Sequence, residues 1–178
     1  ASHPYRWWDY SFNMIRIIVM GVSGSGKTSV GIAIAEALKF PFLEGDTLHP
    51  ESNVEKMSAG IPLTDEDRWP WLDKIGIELA KAENGLVVSC SALKASYRKR
   101  LREQAGGPLA FIFLDGSVEV LRSHMSKRRG HFMPVSMLDS QLSTLESPVG
   151  EALVLRQDIS RSIDEIVTAS VAWLRGLG

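Results

Sequence analysis

Several things that would each announce a class of protein are scarce in this chain. One cysteine, Cys90, stands among 178 residues, so no internal disulfide can form, which fits a reducing compartment such as the cytoplasm. No apolar run approaches the roughly 18 residues a membrane span needs, so no membrane partner is expected. Net charge is nearly absent: 20 Lys and Arg against 21 Asp and Glu leave −1, which gives no reason to expect nucleic acid. Repeats, low-complexity tracts and long Pro/Gly/Ser linkers are missing too, so nothing divides the chain. What remains, 44% hydrophobic and 23% charged residues, is ordinary for one domain with a proper core. Residues 1–13 hold Tyr5, Trp7, Trp8, Tyr10 and Phe12 without a continuous apolar stretch, so they do not read as a secretory signal. They are taken as a leader or an appended extension, and residues 14–178 as the single domain.

The most informative feature present is Gly21-Val22-Ser23-Gly24-Ser25-Gly26-Lys27-Thr28, set directly after the apolar stretch Ile15–Met20 and before the helical pattern Ser29–Leu38. Glycines at 21, 24 and 26 let the backbone fold so that successive N–H groups point inward at a triphosphate. Lys27 adds charge at the β and γ phosphates, the Thr28 hydroxyl is placed to ligate Mg²⁺, and the helix start contributes its positive end. Gly21, Ser23, Gly24, Ser25, Gly26, Lys27, Thr28 and Ser29 are therefore the expected ATP-binding residues. A guanine-reading Asn-Lys-x-Asp element is absent, which argues against a GTPase switch. Asp73-Lys74-Ile75-Gly76 matches a switch-type Asp-x-x-Gly but lies inside an expected helix.

Short apolar runs alternate with longer segments of helical period, the pattern of a parallel sheet covered by helices on both faces. Strands are expected at Ile15–Met20, Phe42–Glu44, Leu86–Cys90, Ala110–Leu114 and Leu153–Leu155. Together with the phosphate loop they predict an α/β fold of the P-loop NTPase type with a five-stranded parallel sheet. Thr64, followed by Asp65, Glu66 and Asp67, reads as the start of a helix through Trp71, Leu72, Ile75 and Leu79, stopped by Asn84-Gly85. Ser162 and Glu165 have capping-box spacing ahead of a C-terminal helix with the stripe Ile163, Ile166, Val167, Val171, Leu174.

Ligands of open parallel sheets lie beyond the carboxyl ends of the strands. There the chain carries Asp46 and His49, then Ser91 to Lys94 with Arg98, then Asp115. A helix ending in Lys127-Arg128-Arg129-Gly130-His131 follows Asp115. ATP and Mg²⁺ beside a carboxylate, a histidine and several cations suit phosphoryl transfer to a small polar acceptor. Asp46 is the candidate for receiving or orienting the acceptor's proton; the alternative is a loop carboxylate capping the helix that Pro50 begins. His49 could bond a substrate hydroxyl or be structural. Arg68, Lys94 and Arg98 could hold an acceptor's negative group, although any one of them taken alone reads rather as a solvated helix charge. Arguments for Lys127 to Arg129 divide between a lid hinged at Gly130, closing over the phosphates, and a basic helix end that suits the dipole. Asp115 resembles a magnesium carboxylate only superficially and is read as a strand-end residue.

Four segments resemble the hallmark blocks of gluconokinase, the small P-loop gluconate kinase related to shikimate kinase: GVSGSGKTSVG (21–31), GDTLHPESNVEKMSAGIPLTDEDRWPWL (45–72), CSALKASYRKRLR (90–102) and GHFMPVSMLDSQLSTLE (130–146). They cover more than a third of the chain in the family's order, and the middle two carry the assignment because P-loop kinases in general lack them. The resemblance implies transfer of the γ-phosphoryl group of ATP to the 6-hydroxyl of D-gluconate by a cytoplasmic enzyme, commonly a homodimer. Carried over, Lys27, Asp46 and Arg128 are catalytic, and Arg128 also contacts the nucleotide. Asp46, His49, Arg68, Lys94, Arg98, His131 and Gln141 would bind substrate, and the mobile lid falls on Arg128 to His131. Met137 and Leu142 stand where leucine and phenylalanine are common, which bears on packing rather than activity. Residue types alone leave shikimate, a nucleoside monophosphate or another hydroxylated acid open as acceptors.

Overall fold

A computed structural model describes residues 16–127 and 137–177. In chain order the elements are β1 (Arg16–Met20), α1 (Lys27–Leu38), β2 (Phe42–Glu44), a 3-10 turn (Gly45–Leu48), α2 (Glu51–Ser58), α3 (Asp65–Lys81), β3 (Leu86–Ser89), α4 (Ala95–Gln104), β4 (Leu109–Asp115), α5 (Val118–Lys127), α6 (Met137–Thr144), β5 (Val154–Asp158) and α7 (Ile163–Arg175).

The five strands form one parallel sheet in the order β2-β3-β1-β4-β5. Every residue of β1 is buried, as is all of β4 except its last residue, because these strands are covered on both faces. The step from β1 to β2 runs one way across the sheet, and the later steps run the other. With right-handed crossovers, that reversal places α1 on one face and α3 with α4 on the opposite face. The reversal point lies at the carboxyl end of β1, where the phosphate loop begins. Trp71, Leu72, Ile75 and Leu79 of α3 join the main core, whereas Met57, Leu63 and Met137 form a small second cluster.

Both helix starts expected from the sequence carry reciprocal caps. The Thr64 hydroxyl accepts from the Asp67 N–H while the Asp67 carboxylate accepts from the Thr64 N–H, and Ser162 with Glu165 does the same. Several boundaries differ from expectation: β3 ends at Ser89 rather than Cys90, and β4 runs one residue further at each end. Helix α3 ends at Lys81, before Asn84-Gly85, and that pair instead forms the turn into β3, with Gly85 at φ 100°. The last strand begins at Val154 and continues to Asp158, because Leu153 takes a left-handed conformation, φ 55°, that breaks the extended run. Helix α6, inside the fourth block, was not anticipated. The expected strand start at Ile15, the leader, and the lid residues Arg128, Arg129, Gly130 and His131 lie outside the described residues.

Candidate active site

The phosphate loop joins β1 to α1 and bends at Gly24, φ 84°, where a Cβ would come within 2.8 Å of the Leu121 carbonyl oxygen. The cap of α1 is Gly26, with no side chain over the first turn, so the helix's leading amides face the loop interior. Lys27 folds back so that its ammonium donates to the Val22 carbonyl at 3.1 Å. The Ser23 N–H donates to Gln141 Oε1 of α6 at 2.7 Å. Behind the loop, His124 of α5 lies 2.9 Å from the Gly24 carbonyl through Nδ1; a carbonyl only accepts, so Nδ1 carries the proton.

The Thr28 hydroxyl donates to Glu44 Oε2 at 2.5 Å, and Ser89 Oγ donates to Glu44 Oε1 at 2.5 Å. Glu44 was not a sequence candidate, because it closes an apolar strand run. Its signal was position: the last residue of β2, at the carboxyl edge beside the phosphate loop. A hydroxyl and a carboxylate make a hard-oxygen donor set that suits Mg²⁺, which keeps several waters and takes few protein ligands. Among the described residues no group of three or more His, Cys, Asp or Glu is arranged to hold a metal ion.

A pocket opens beside the loop. Ser23, Lys27, Asp46, His49, Arg68 and Gln141 line its polar side, and Met57, Leu63 and Met137 an apolar wall. Asp46 sits on the 3-10 turn and His49 directly follows it, and both are held in place from α3: Trp71 Nε1 donates to the Gly45 carbonyl at 2.8 Å, and the Trp71 ring stacks on His49 with centroids 4.0 Å apart. Gly45 permits this closeness, since a Cβ there would overlap the Ser89 carbonyl oxygen. Helix α2 has Pro50 at its cap, a side chain that makes no capping bond, and its first turn carries Glu51. The His49 side chain is 3% exposed and 3.8 Å from Asp46 Oδ1 through Nε2. Burial, then the Arg68 charge, lowers its pKa to about 4, so it is neutral at pH 7.

At the rim, Arg68 donates to the Tyr97 hydroxyl at 2.9 Å, Tyr97 donates to Asp65 in a short bond, and Lys94 donates to Asp65 at 3.0 Å. Burial and the Asp65 bond push the Tyr97 phenol up to about 12. The Tyr97 bond, then the one from Lys94, holds Asp65 below the usual carboxylate range. Arg68 thus faces the pocket, while Lys94 is not among the residues that line it and has its charge engaged by Asp65.

Arg98 corrects the sequence reading. It is fully buried, and its guanidinium bonds the Ala92, Leu93 and Glu146 carbonyls and both Glu151 oxygens at 2.7–3.1 Å. It does not line the pocket. It braces the Ser91 to Lys94 segment, where Ala92 is held at φ 46°, and Ser91 and Leu93 from that segment do line the pocket. Asp115 accepts from Arg156 at 2.8 Å, consistent with a strand-end role. Cys90 is buried, which pushes its thiol up to about 12 and leaves it protonated.

A second hollow lies on the other side of the loop, where Gly24, Gly26, Ser29 and Val30 meet Ile159, Ile163 and Ile166, with His124, Lys127 and Arg161 around them. Apolar walls with cations at the edge suit a nucleotide's base and ribose. The sequence reading passed over this strand end, since Asp158-Ile159-Ser160-Arg161 carries no motif; only its place after β5 would have flagged it.

Residues 23–170 match the shikimate kinase family model. The chain is 51% identical to a gluconokinase of Gluconobacter oxydans over 79% of this chain and 80% of that one. It is 46% identical to the thermosensitive gluconokinase of Escherichia coli over 84% and 81%. The crystal structure of a gluconokinase from Sinorhizobium meliloti 1021 superimposes with a TM-score of 0.86 at 58% identity, covering 93% of this chain and 94% of that one.

Proposed function

Because the chain belongs to the shikimate kinase family and, within it, to the gluconokinases, we propose that it phosphorylates gluconate, transferring the γ-phosphoryl group of ATP to the 6-hydroxyl and releasing ADP. The observation that carries this reading is that Lys27 of the phosphate loop and Asp46 of the β2 end line one pocket.

The loop amides and Lys27 hold the β and γ phosphates, and the hollow bounded by Ile159, Ile163 and Ile166 takes the base. Lys27 leaves the Val22 carbonyl for the phosphate oxygens, a stronger acceptor. Thr28 and, through water, Glu44 would hold Mg²⁺. That ion neutralises charge on the β and γ oxygens when bound. Asp46 accepts the proton of the gluconate 6-hydroxyl as its oxygen bonds to the γ phosphorus and the bond from phosphorus to the ADP oxygen breaks. Arg68 supplies a cation inside the pocket for the substrate carboxylate, and Lys94 would reach it only by leaving Asp65. Arg128 completes the charge neutralisation, and His131 contacts substrate, when the segment after Lys127 closes over the nucleotide. Gln141 bridges α6 to the loop and reaches the acceptor side. The enzyme works in the cytoplasm as a homodimer, a reading supported by the family resemblance alone; no described helix is long and apolar enough to cross a membrane.

Purified protein incubated with Mg-ATP and gluconate, shikimate or AMP, with products identified by mass, tests the proposal. 6-Phosphogluconate and ADP are expected from gluconate. Phosphorylation of shikimate or AMP in its place would overturn it.

A further inference from the structure

The chemistry of His49 is decided by a residue outside the pocket lining. Asn53, one turn into α2 and 1% exposed, places Nδ2 2.8 Å from the Asp67 carbonyl and 3.1 Å from His49 Nδ1. A carbonyl oxygen only accepts, so the amide atom facing it must be the nitrogen; the flipped amide would set two oxygens against each other in a buried place. That nitrogen has two protons. One goes to Asp67, and the other goes to His49 Nδ1, which must therefore present its lone pair. The remaining ring proton then lies on Nε2, the atom directed toward Asp46.

We propose that Asn53 is a positioning residue that locks His49 as the Nε2–H tautomer, so that the pocket offers a hydrogen-bond donor beside the Asp46 carboxylate. Nε2 and Asp46 Oδ1 are 3.8 Å apart, beyond a direct hydrogen bond, and both residues line the pocket. A hydroxyl set between them accepts from His49 and donates to Asp46. The opposite tautomer, or an imidazole without a fixed one, would put two acceptors there and leave the oxygen of the hydroxyl without a donor. The lock is itself anchored. Asp67 belongs to the capping box of α3 and pairs with Lys56 of α2 at 2.9 Å, so the two helices that carry Asn53 and its carbonyl partner are tied together. Charged groups facing the site are Asp46 on the 3-10 turn, Arg68 on α3 and Lys27 on α1, and the Trp71 ring covers the imidazole face. Burial and Arg68 both disfavour the imidazolium, which keeps the ring neutral and the tautomer meaningful at working pH.

This inference rests on the reading that Asp46 addresses the reacting hydroxyl, and the experiment separates the two. Nitrogen-15 correlation spectra of the full-length protein, with His49 assigned by its loss in His49→Gln, read the tautomer directly. The expected result at pH 7 is an unprotonated Nδ1 and a protonated Nε2, unchanged at pH 5. Asn53→Asp should reverse the pattern, because a carboxylate accepts from Nδ1–H. It should lower kcat on gluconate by about 10–100-fold while KM for ATP stays within about twofold. Asn53→Ser, which withdraws the donor without adding charge, should mix the tautomers and lower kcat less, and it carries the same comparison if Asn53→Asp does not fold. A protonated Nδ1 or an imidazolium in the wild type overturns the proposal, as does full kcat in a variant whose tautomer has changed. Wild-type protein that shows the Nε2–H form yet phosphorylates no gluconate overturns the substrate reading and leaves the tautomer lock standing.

Discussion

Asp46 on the 3-10 turn and His49 just after it stand three residues apart, and their place beyond the end of β2 made them worth reading together. Neither residue type specifies its task; the surroundings do. Asp46 stays partly open at the pocket mouth, while His49 is buried against Trp71 and loses its charge. Asp46→Ala should therefore lower turnover by about 10²–10⁴-fold and leave ATP affinity nearly intact, as a steady-state assay with both substrates varied would read. A near-normal kcat would remove Asp46 from the mechanism. Legibility at this scale was uneven. The phosphate-loop residues were plain because several constraints meet in one short string. Glu44, Asn53 and Trp71 were missed because their work lies in bonds to residues between 14 and 45 positions away, and no local pattern records such bonds. Arg98 was misjudged for the opposite reason: in a basic helix it looks like its solvated neighbours, and only burial distinguishes it.

At the scale of elements, α4 is fastened to the loop before it and to the 146–151 segment after α6 by one side chain. Glu146 adds to this by accepting from the Ala95 N–H at 2.7 Å, at the positive end of α4. Arg98→Met keeps most of the volume but strips donors from three carbonyls and leaves Glu151 to Arg102. A loss of about 3 kcal/mol in urea unfolding is expected, with KM for gluconate raised because Ser91 and Leu93 lose their brace. Unchanged stability would show that the network contributes little. Helix starts were readable because Thr64 and Ser162 act through residues three positions on, inside any sequence window. The end of α3 and the start of β5 were not: Ala82 leaves the helix without a glycine, and Leu153 turns left-handed while its carbonyl still accepts from the Phe111 N–H of the neighbouring strand at 2.8 Å.

Across the whole molecule, two hollows flank one loop, the one proposed for the acceptor on the side of β2 and the one proposed for the nucleotide on the side of β5. Helix α5 touches the loop through His124, and Lys127 at its end borders the nucleotide hollow, so binding there bears directly on the chain that follows. Protection of residues 125 to 133 from hydrogen exchange should rise when ATP analogue saturates the protein. Unchanged exchange at saturation would leave that stretch as an ordinary helix end. By itself the sequence determined the alternation of strands and helices, the phosphate loop and the family, because each of these is written in contiguous residues whose spacing carries the physics. The strand order, the tautomer of His49, the bracing role of Arg98 and the hollow beyond β5 were decided only by the tertiary structure. Each depends on groups far apart in the chain meeting where water is excluded, and there a partner, a charge or a proton has few places to go.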